Sequence, residues 1–197
     1  IWCIVKDEQG TIWLGTYFGG VNYFNPEYEI YTRYKVGDTE KEGLSSPIVG
    51  RMTEDKDGNL WICTEGGGVN VYNRKDNTYR WYRHEEGKNS ISHNNVKAIY
   101  YDQANEIMWI GTHLGGLNKL DLRTNRFTAY RMKAGDPTSL PSDIVRDIVP
   151  YKDKLVIATQ NGVTLFDPAA GTCRQLFKET KAGRDIGMVA SLCFDKD

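Results

Sequence analysis

One stretch is written four times along the chain, and its spacing limits the fold more than any other feature. Ile12-Trp13-Leu14-Gly15-Thr16-Tyr17-Phe18-Gly19-Gly20-Val21-Asn22-Tyr23-Phe24 returns as Leu60-Trp61-Ile62-Cys63-Thr64-Glu65-Gly66-Gly67-Gly68-Val69-Asn70-Val71-Tyr72. It returns again as Met108-Trp109-Ile110-Gly111-Thr112-His113-Leu114-Gly115-Gly116-Leu117-Asn118-Lys119-Leu120. A fourth version, from Leu155 to Phe166, lacks the Trp and one loop residue. Trp13, Trp61 and Trp109 follow at intervals of 48, and Val156 takes the Trp position 47 residues later. A fixed period of this size means an array of small structural units.

Each unit divides into four short segments rich in β-formers and separated by turn residues such as Asp7-Glu8-Gln9-Gly10 and Asp57-Gly58-Asn59. The units run over 1–34, 48–83, 96–131 and 144–177, and 188–194 repeats the first strand of a fifth. No segment keeps a helical period, which excludes a solenoid of helix pairs. Four antiparallel strands per repeat at this period is the pattern of a propeller blade. The expected fold is therefore all-β, a β-propeller with four four-stranded antiparallel blades plus one further strand. It reads as a partial ring cut from a longer array. The recurrent Trp is expected to be a buried plate between neighbouring blades, its N–H needing a partner. Gly15, Cys63, Gly111 and Ala158 mark a position that must stay small where another backbone approaches. Gly19 and Gly20 are expected to permit positive φ. Leu44, Ile91 and Leu140 are expected to tuck under the loops as staples.

Composition narrows the function classes. A net charge of −1 with interspersed signs gives no basic footprint for nucleic acid. Hydrophobic content of 40% with 12% aromatic residues argues against disorder. No apolar run approaches the roughly 18 residues of a membrane helix. No signal peptide opens the sequence, but residue 1 already lies inside a repeat, so the natural N-terminus is expected upstream and the compartment stays open. Cys63 replaces glycine of sister repeats, Cys3 aligns with Ala98 and Ser191, and Cys173 aligns with Tyr31, Tyr79 and Phe127. These are packing positions, so free buried thiols are expected rather than disulfides. His84, His93 and His113 come from different blades and loop types, and zinc-site spacings are absent, so no metal is expected.

WLGTYFGGVNYF, WICTEGGGVNVY and WIGTHLGGLNKL, with the preceding EDKDGNLW, resemble the two-component regulator propeller repeats. The resemblance extends over essentially the whole chain, with the fourth copy, VIATQNGVTLF, departing furthest. It implies the periplasmic sensor part of an inner-membrane hybrid two-component system, from bacteria that degrade complex polysaccharides. Family members usually carry two seven-bladed propellers, a β-sandwich domain, a membrane helix, a histidine kinase, and a receiver with a DNA-binding module. The implied ligand is an oligosaccharide. The implied partners are the remaining blades, a second propeller and a second copy of the receptor. Neither a cofactor nor nucleic-acid contact by this segment is implied, and the segment itself would have no kinase or other enzymatic activity.

With the first strand of each blade innermost, the loops between second and third strands and the blade-to-blade connections share one face. That face would carry Tyr17, Phe18, Glu65, His113, Gln160 and Asn161, the variable positions in an otherwise constant motif. Trp2, Gly50, Lys97 and Arg146 occupy equivalent starts of first strands, near the channel mouth. Aromatic plates with polar neighbours suit sugar rings, which offer an apolar face and a hydroxyl rim. Trp81 sits on an outermost strand beside Arg80 and Arg83 and reads as a packing or exposed aromatic. No nucleophile–base pair stands out, and no catalytic residue is assigned. Two other readings stay open: a propeller enzyme of the lyase or hydrolase type, on fold analogy alone, and a protein-interaction scaffold of the WD or Kelch kind.

Overall fold

A computed structural model describes residues 1–177, 183 and 185–194. Blade 1 contains β1 (Cys3–Lys6), β2 (Ile12–Gly15), β3 (Val21–Asn25) and β4 (Ile30–Tyr34). Blade 2 contains β5 (Val49–Glu54), β6 (Leu60–Thr64), β7 (Gly68–Asn73) and β8 (Thr78–Tyr82). Blade 3 contains β9 (Val96–Asp102), β10 (Ile107–Thr112), β11 (Leu117–Asp121) and β12 (Arg126–Tyr130). Blade 4 contains β13 (Val145–Tyr151), β14 (Lys154–Thr159), β15 (Gly162–Asp167) and β16 (Thr172–Phe177). Each sheet is a simple antiparallel meander in chain order.

The blades pack through their inner strands, β1 on β5, β5 on β9 and β9 on β13. No packing of that extent joins β1 to β13, so the four blades form an open arc. One core lies between each successive pair, around Trp13 and Met52, around Trp61 and Met108, and around Trp109 and Phe166. The preceding-blade face of blade 3 shows what such a surface is for: Ile110 and Leu120 are wholly buried against blade 2. The matching face of blade 1 has no blade against it, and Ile4 and Tyr31 are 65% and 74% exposed.

Glycine and small residues stand where backbones meet. A Cβ on Gly111 would lie 2.5 Å from Val145 of the next blade, and one on Gly15 would lie 2.9 Å from Val49. Gly20 takes a φ of 70°, as expected, but Gly19 does not take positive φ; it is needed because a Cβ there would meet the Thr16 hydroxyl. Leu44, Ile91 and Leu140 are all buried as staples. Beside them the connections are clamped by side chains. Asn70 accepts a bond from the Ser45 amide and donates to its hydroxyl, both at 2.7 Å. Asn118 does the same with Ser92. In blade 4 both members change together: Pro141, which has no N–H, stands where the Ser was, and Thr164 replaces the Asn.

Two expectations need correction. Residues 188–194 were read as a first strand, yet they join no ladder. An inner strand bonds to the second strand of its own blade, and none follows among the described residues. It nevertheless takes the first-strand place beside blade 4: Val189 N–H donates to the Thr159 carbonyl at 3.1 Å, as Val49 N–H does to the Thr16 carbonyl at 3.0 Å, and Leu192 N–H donates to Asp147 Oδ2 at 2.9 Å. The second correction concerns the indoles. Trp13 donates to Asp7 at 2.7 Å and Trp61 to Asp55 at 2.8 Å, but the buried Trp109 N–H has no partner among the described residues.

Candidate functional site at the channel mouth

The inner strands enter the sheet irregularly, and this irregularity builds the site. In β9 the pairing jumps from Val96↔Thr112 to Ala98↔Gly111, leaving Lys97 as an extra residue. In β13 it jumps from Val145↔Thr159 to Asp147↔Ala158, leaving Arg146. The shift in β5 covers Gly50 and Arg51. A bulge residue leaves the ladder and its side chain is re-aimed. Trp2, just before β1, takes the same place in blade 1, its N–H donating to the Gly15 carbonyl at 2.8 Å.

Trp2, Gly50, Arg51, Glu65, Lys97 and Arg146 line one opening of about 340 Å3. Trp2 stacks on Tyr17 with ring centroids 5.1 Å apart and planes 15° off parallel, and Phe18 meets Tyr17 edge-on at 4.4 Å. All three rings are more than half exposed. Phe18 holds a φ of 64°, where the sister loop in blade 2 has Gly66. A bulky side chain in the left-handed region costs on the order of 1 kcal/mol and is uncommon, so an exposed aromatic there is a strained feature. The Lys97 ammonium stands 5.8 Å from the Trp2 ring centre and pairs with Glu65. Burial first, and then the charge of Arg146, hold that ammonium below the usual lysine range even beside the carboxylate.

Arg146 donates to Gln160 Oε1 at 2.8 Å, while its buried Nε has no partner. His113 lies close by, its Nδ1 buried without a partner. Burial, Lys97 and Arg146 push its pKa down, so the imidazole is neutral at neutral pH. Asn161 does not join the mouth: its side chain donates to the Pro141 carbonyl and its own carbonyl accepts from Gln175. The structure thus brings Trp2, Tyr17, Phe18, Glu65, His113, Lys97, Arg146 and Gln160 around one rim and leaves Asn161 bracing its loop.

Sequence reading missed Arg51 and Asp147. It aligned Cys3 with Ala98 and Ser191 and left out the other two repeats. In blades 2 and 4 that position carries Arg51 and Asp147, which form an ion pair at 2.9 Å across the channel, and both bond to Ser191. Aligning all five first strands, rather than three, exposes the pair. The mouth therefore holds Arg51, Lys97 and Arg146 against Glu65 and Asp147, one cation in excess.

The family model of the two-component regulator propeller matches residues 1–18, 43–66 and 90–113, which span the first two strands of blades 1 to 3. Those three segments, about a third of the chain, match two-component regulator propeller repeats. None of the curated proteins matches it. Among solved structures it is similar to the extracellular domain of BT3049 of B. thetaiotaomicron, described as a hybrid two-component system. That likeness has a TM-score of 0.76 at 24% identity over 92% of this chain and 25% of the other. BT4673 of the same organism, described likewise, gives 0.70 at 23% identity over 88% and 24%. PorZ, a surface component of the type-IX secretion system of Porphyromonas gingivalis, gives 0.64 at 20% over 89% and 27%. At such identities the likeness establishes the propeller fold. The chain spans about a quarter of the length of these structures.

Proposed function

We propose that this chain is a ligand-sensing segment of a hybrid two-component receptor, sited in the periplasm and responding to an oligosaccharide. The observation that carries the reading is the exposed Trp2–Tyr17 stack beside a fan of bulge residues. An aromatic plate takes the apolar face of a sugar ring. Lys97, Glu65, Arg146 and Gln160 then offer donors and acceptors at the ring's hydroxyl edge. The neutral His113 adds a donor or an acceptor without a further charge. Similarity to extracellular domains of hybrid two-component systems supports the receptor context.

In this reading the mouth binds and does not turn over its ligand. Further blades, a second propeller, a membrane span, a histidine kinase and a second receptor copy complete the parent protein. Calorimetric titration of the protein with a panel of short neutral and uronic-acid oligosaccharides tests the reading. Saturable binding by at least one, with the sugar recovered uncleaved, is expected. Cleavage of a bound sugar would favour the lyase or hydrolase alternative, and binding by none of the panel would overturn the assignment.

A further inference from the structure

The opposite face of the arc carries a feature that the channel mouth does not use. Between blades 3 and 4 a cleft of about 540 Å3 opens near the β9–β10, β13–β14 and β15–β16 turns, and Trp109 lines it. This volume lies within the roughly 300–1,000 Å3 of small-molecule sites. Trp109 is only 1% exposed and its indole N–H has no partner among the described residues. A buried donor left unpaired is destabilising.

The sister interfaces show what the cleft lacks. In blade 1 the Trp13 N–H donates to Asp7, and Arg74 from blade 2 bonds the same carboxylate at 2.9 Å while lying 4.8 Å from the Trp13 ring centre. In blade 2 the Trp61 N–H donates to Asp55, and Leu122 of blade 3 packs against that core. Blade 3 keeps the carboxylate as Asp102, but one extra residue separates it from the Trp: seven positions rather than six. The ladder extends to Asp102↔Ile107, and the carboxylate bonds Asn105 instead of the indole. On the blade 4 side, Pro168 occupies the place of Arg74 and cannot fill the space. Both losses fall at the same interface and leave a cleft with a buried donor at its wall.

We propose that the cleft between blades 3 and 4 is a second binding site, for one neutral polyhydroxylated ring whose oxygen accepts the Trp109 indole N–H. The lining chemistry selects this class. The wall carries two carboxylates, Asp102 and Asp153, two ammoniums, Lys152 and Lys154, and the indole donor of Trp109. Only a group that both donates and accepts, such as a hydroxyl, satisfies them together. The two carboxylates and two ammoniums balance, so a charged ligand gains no net attraction and a neutral ring is favoured. A cation would leave the indole unpaired. Leu155 and Pro168 add the apolar surface that the face of such a ring needs.

The test is two-dimensional NMR of 15N-labelled protein, in which each of the five tryptophans gives its own indole signal. Glucose, galactose and myo-inositol are titrated, with sodium acetate as the anionic probe. The Trp109 signal, assigned by Trp109→Phe, is expected to shift saturably with at least one of the neutral rings and to keep its position in acetate. Pro168→Arg, which refills the cleft as Arg74 does next to Trp13, is expected to abolish that shift and leave the Trp61 signal in place. No saturable shift with any ring would overturn the proposal, since water then serves the indole. A shift with acetate alone would overturn it, as would a ring-induced shift that survives Pro168→Arg. The Trp2 signal in the same spectra reports the channel mouth, so failure of one site is read separately from failure of the other.

Discussion

Asp7 and Asp102 hold the same place in their repeats, yet their replacement by Ala should have very different costs. Asp7 is wholly buried at its side chain and accepts bonds from the Thr11 amide at 2.8 Å, Trp13 Nε1 at 2.7 Å and Arg74 Nη1 at 2.9 Å. Removing it strands two donors and leaves the Arg74 guanidinium, 17% exposed at its side chain, with only Glu54 at 3.3 Å. Breaking one partner out of a buried ion pair costs about 3–5 kcal/mol. Among the described residues Asp102 bonds only Asn105, within its own turn and exposed to solvent, so Asp102→Ala should cost about 1 kcal/mol or less. Urea titrations followed by circular dichroism measure both. Asp7→Ala should lower the midpoint several times more than Asp102→Ala. The double variant Asp7→Ala/Arg74→Leu should recover part of the loss, because the stranded charge goes with its partner. Equal losses at Asp7 and Asp102 would refute the argument that one extra turn residue disconnects the blade 3 carboxylate.

Trp61→Ala should cost about 3–5 kcal/mol as a large-to-small change in a core, since Trp61 is 4% exposed. Trp81→Ala removes a partly buried ring and one bond to the Gly43 carbonyl and should cost less than half as much, with equal urea midpoints contradicting this. Thiol titration under denaturing, non-reducing conditions should find all four cysteines free, and two or fewer would overturn the packing assignment. In the native protein the exposed Cys193 should react first. Burial pushes the Cys3 and Cys173 thiols up to about 11 and that of Cys63 well above the usual range, so at pH 8 these are protonated and slow, and Cys3 and Cys173 should quicken as pH rises towards 11. The uncovered apolar face of blade 1, with Ile4 and Tyr31, should drive self-association, so light scattering at micromolar concentration should give a mass above 22.4 kDa, and a monodisperse monomer would contradict that.

The fold was legible because its signals are local and repeated. The Trp, the small residue two positions on and the Gly-Gly turn recur in register, and each answers to a steric demand visible in one repeat at a time. Residues 188–194 have the pattern and the place of a first strand beside blade 4, but strand status depends on a ladder partner, and none follows among the described residues. The site was less legible because it arises between repeats. Lys97 and Arg146 were named as strand starts, whereas their orientation comes from bulges, which depend on the register of two strands. Arg51 and Asp147 meet only because blades 2 and 4 curve around the channel. Asn161 shares a loop with Gln160, yet packing turns it to the Pro141 carbonyl. The disconnection of Trp109 from Asp102 needed only a count of one inserted residue, a signal that was present in the sequence and not used.

The central claim is that bulge residues and the Trp2–Tyr17 plate together form a saccharide site at the channel mouth. Calorimetric titration with the best-binding oligosaccharide of the panel, repeated on Trp2→Ala, Arg146→Ala and Trp81→Ala, tests it most directly. Losing one aromatic plate or one charged hydrogen bond should weaken binding by about tenfold or more for Trp2→Ala and Arg146→Ala, some 1.4 kcal/mol, with Trp81→Ala binding as the parent does. Unchanged binding by both mouth variants, or a loss confined to Trp81→Ala, would contradict the account.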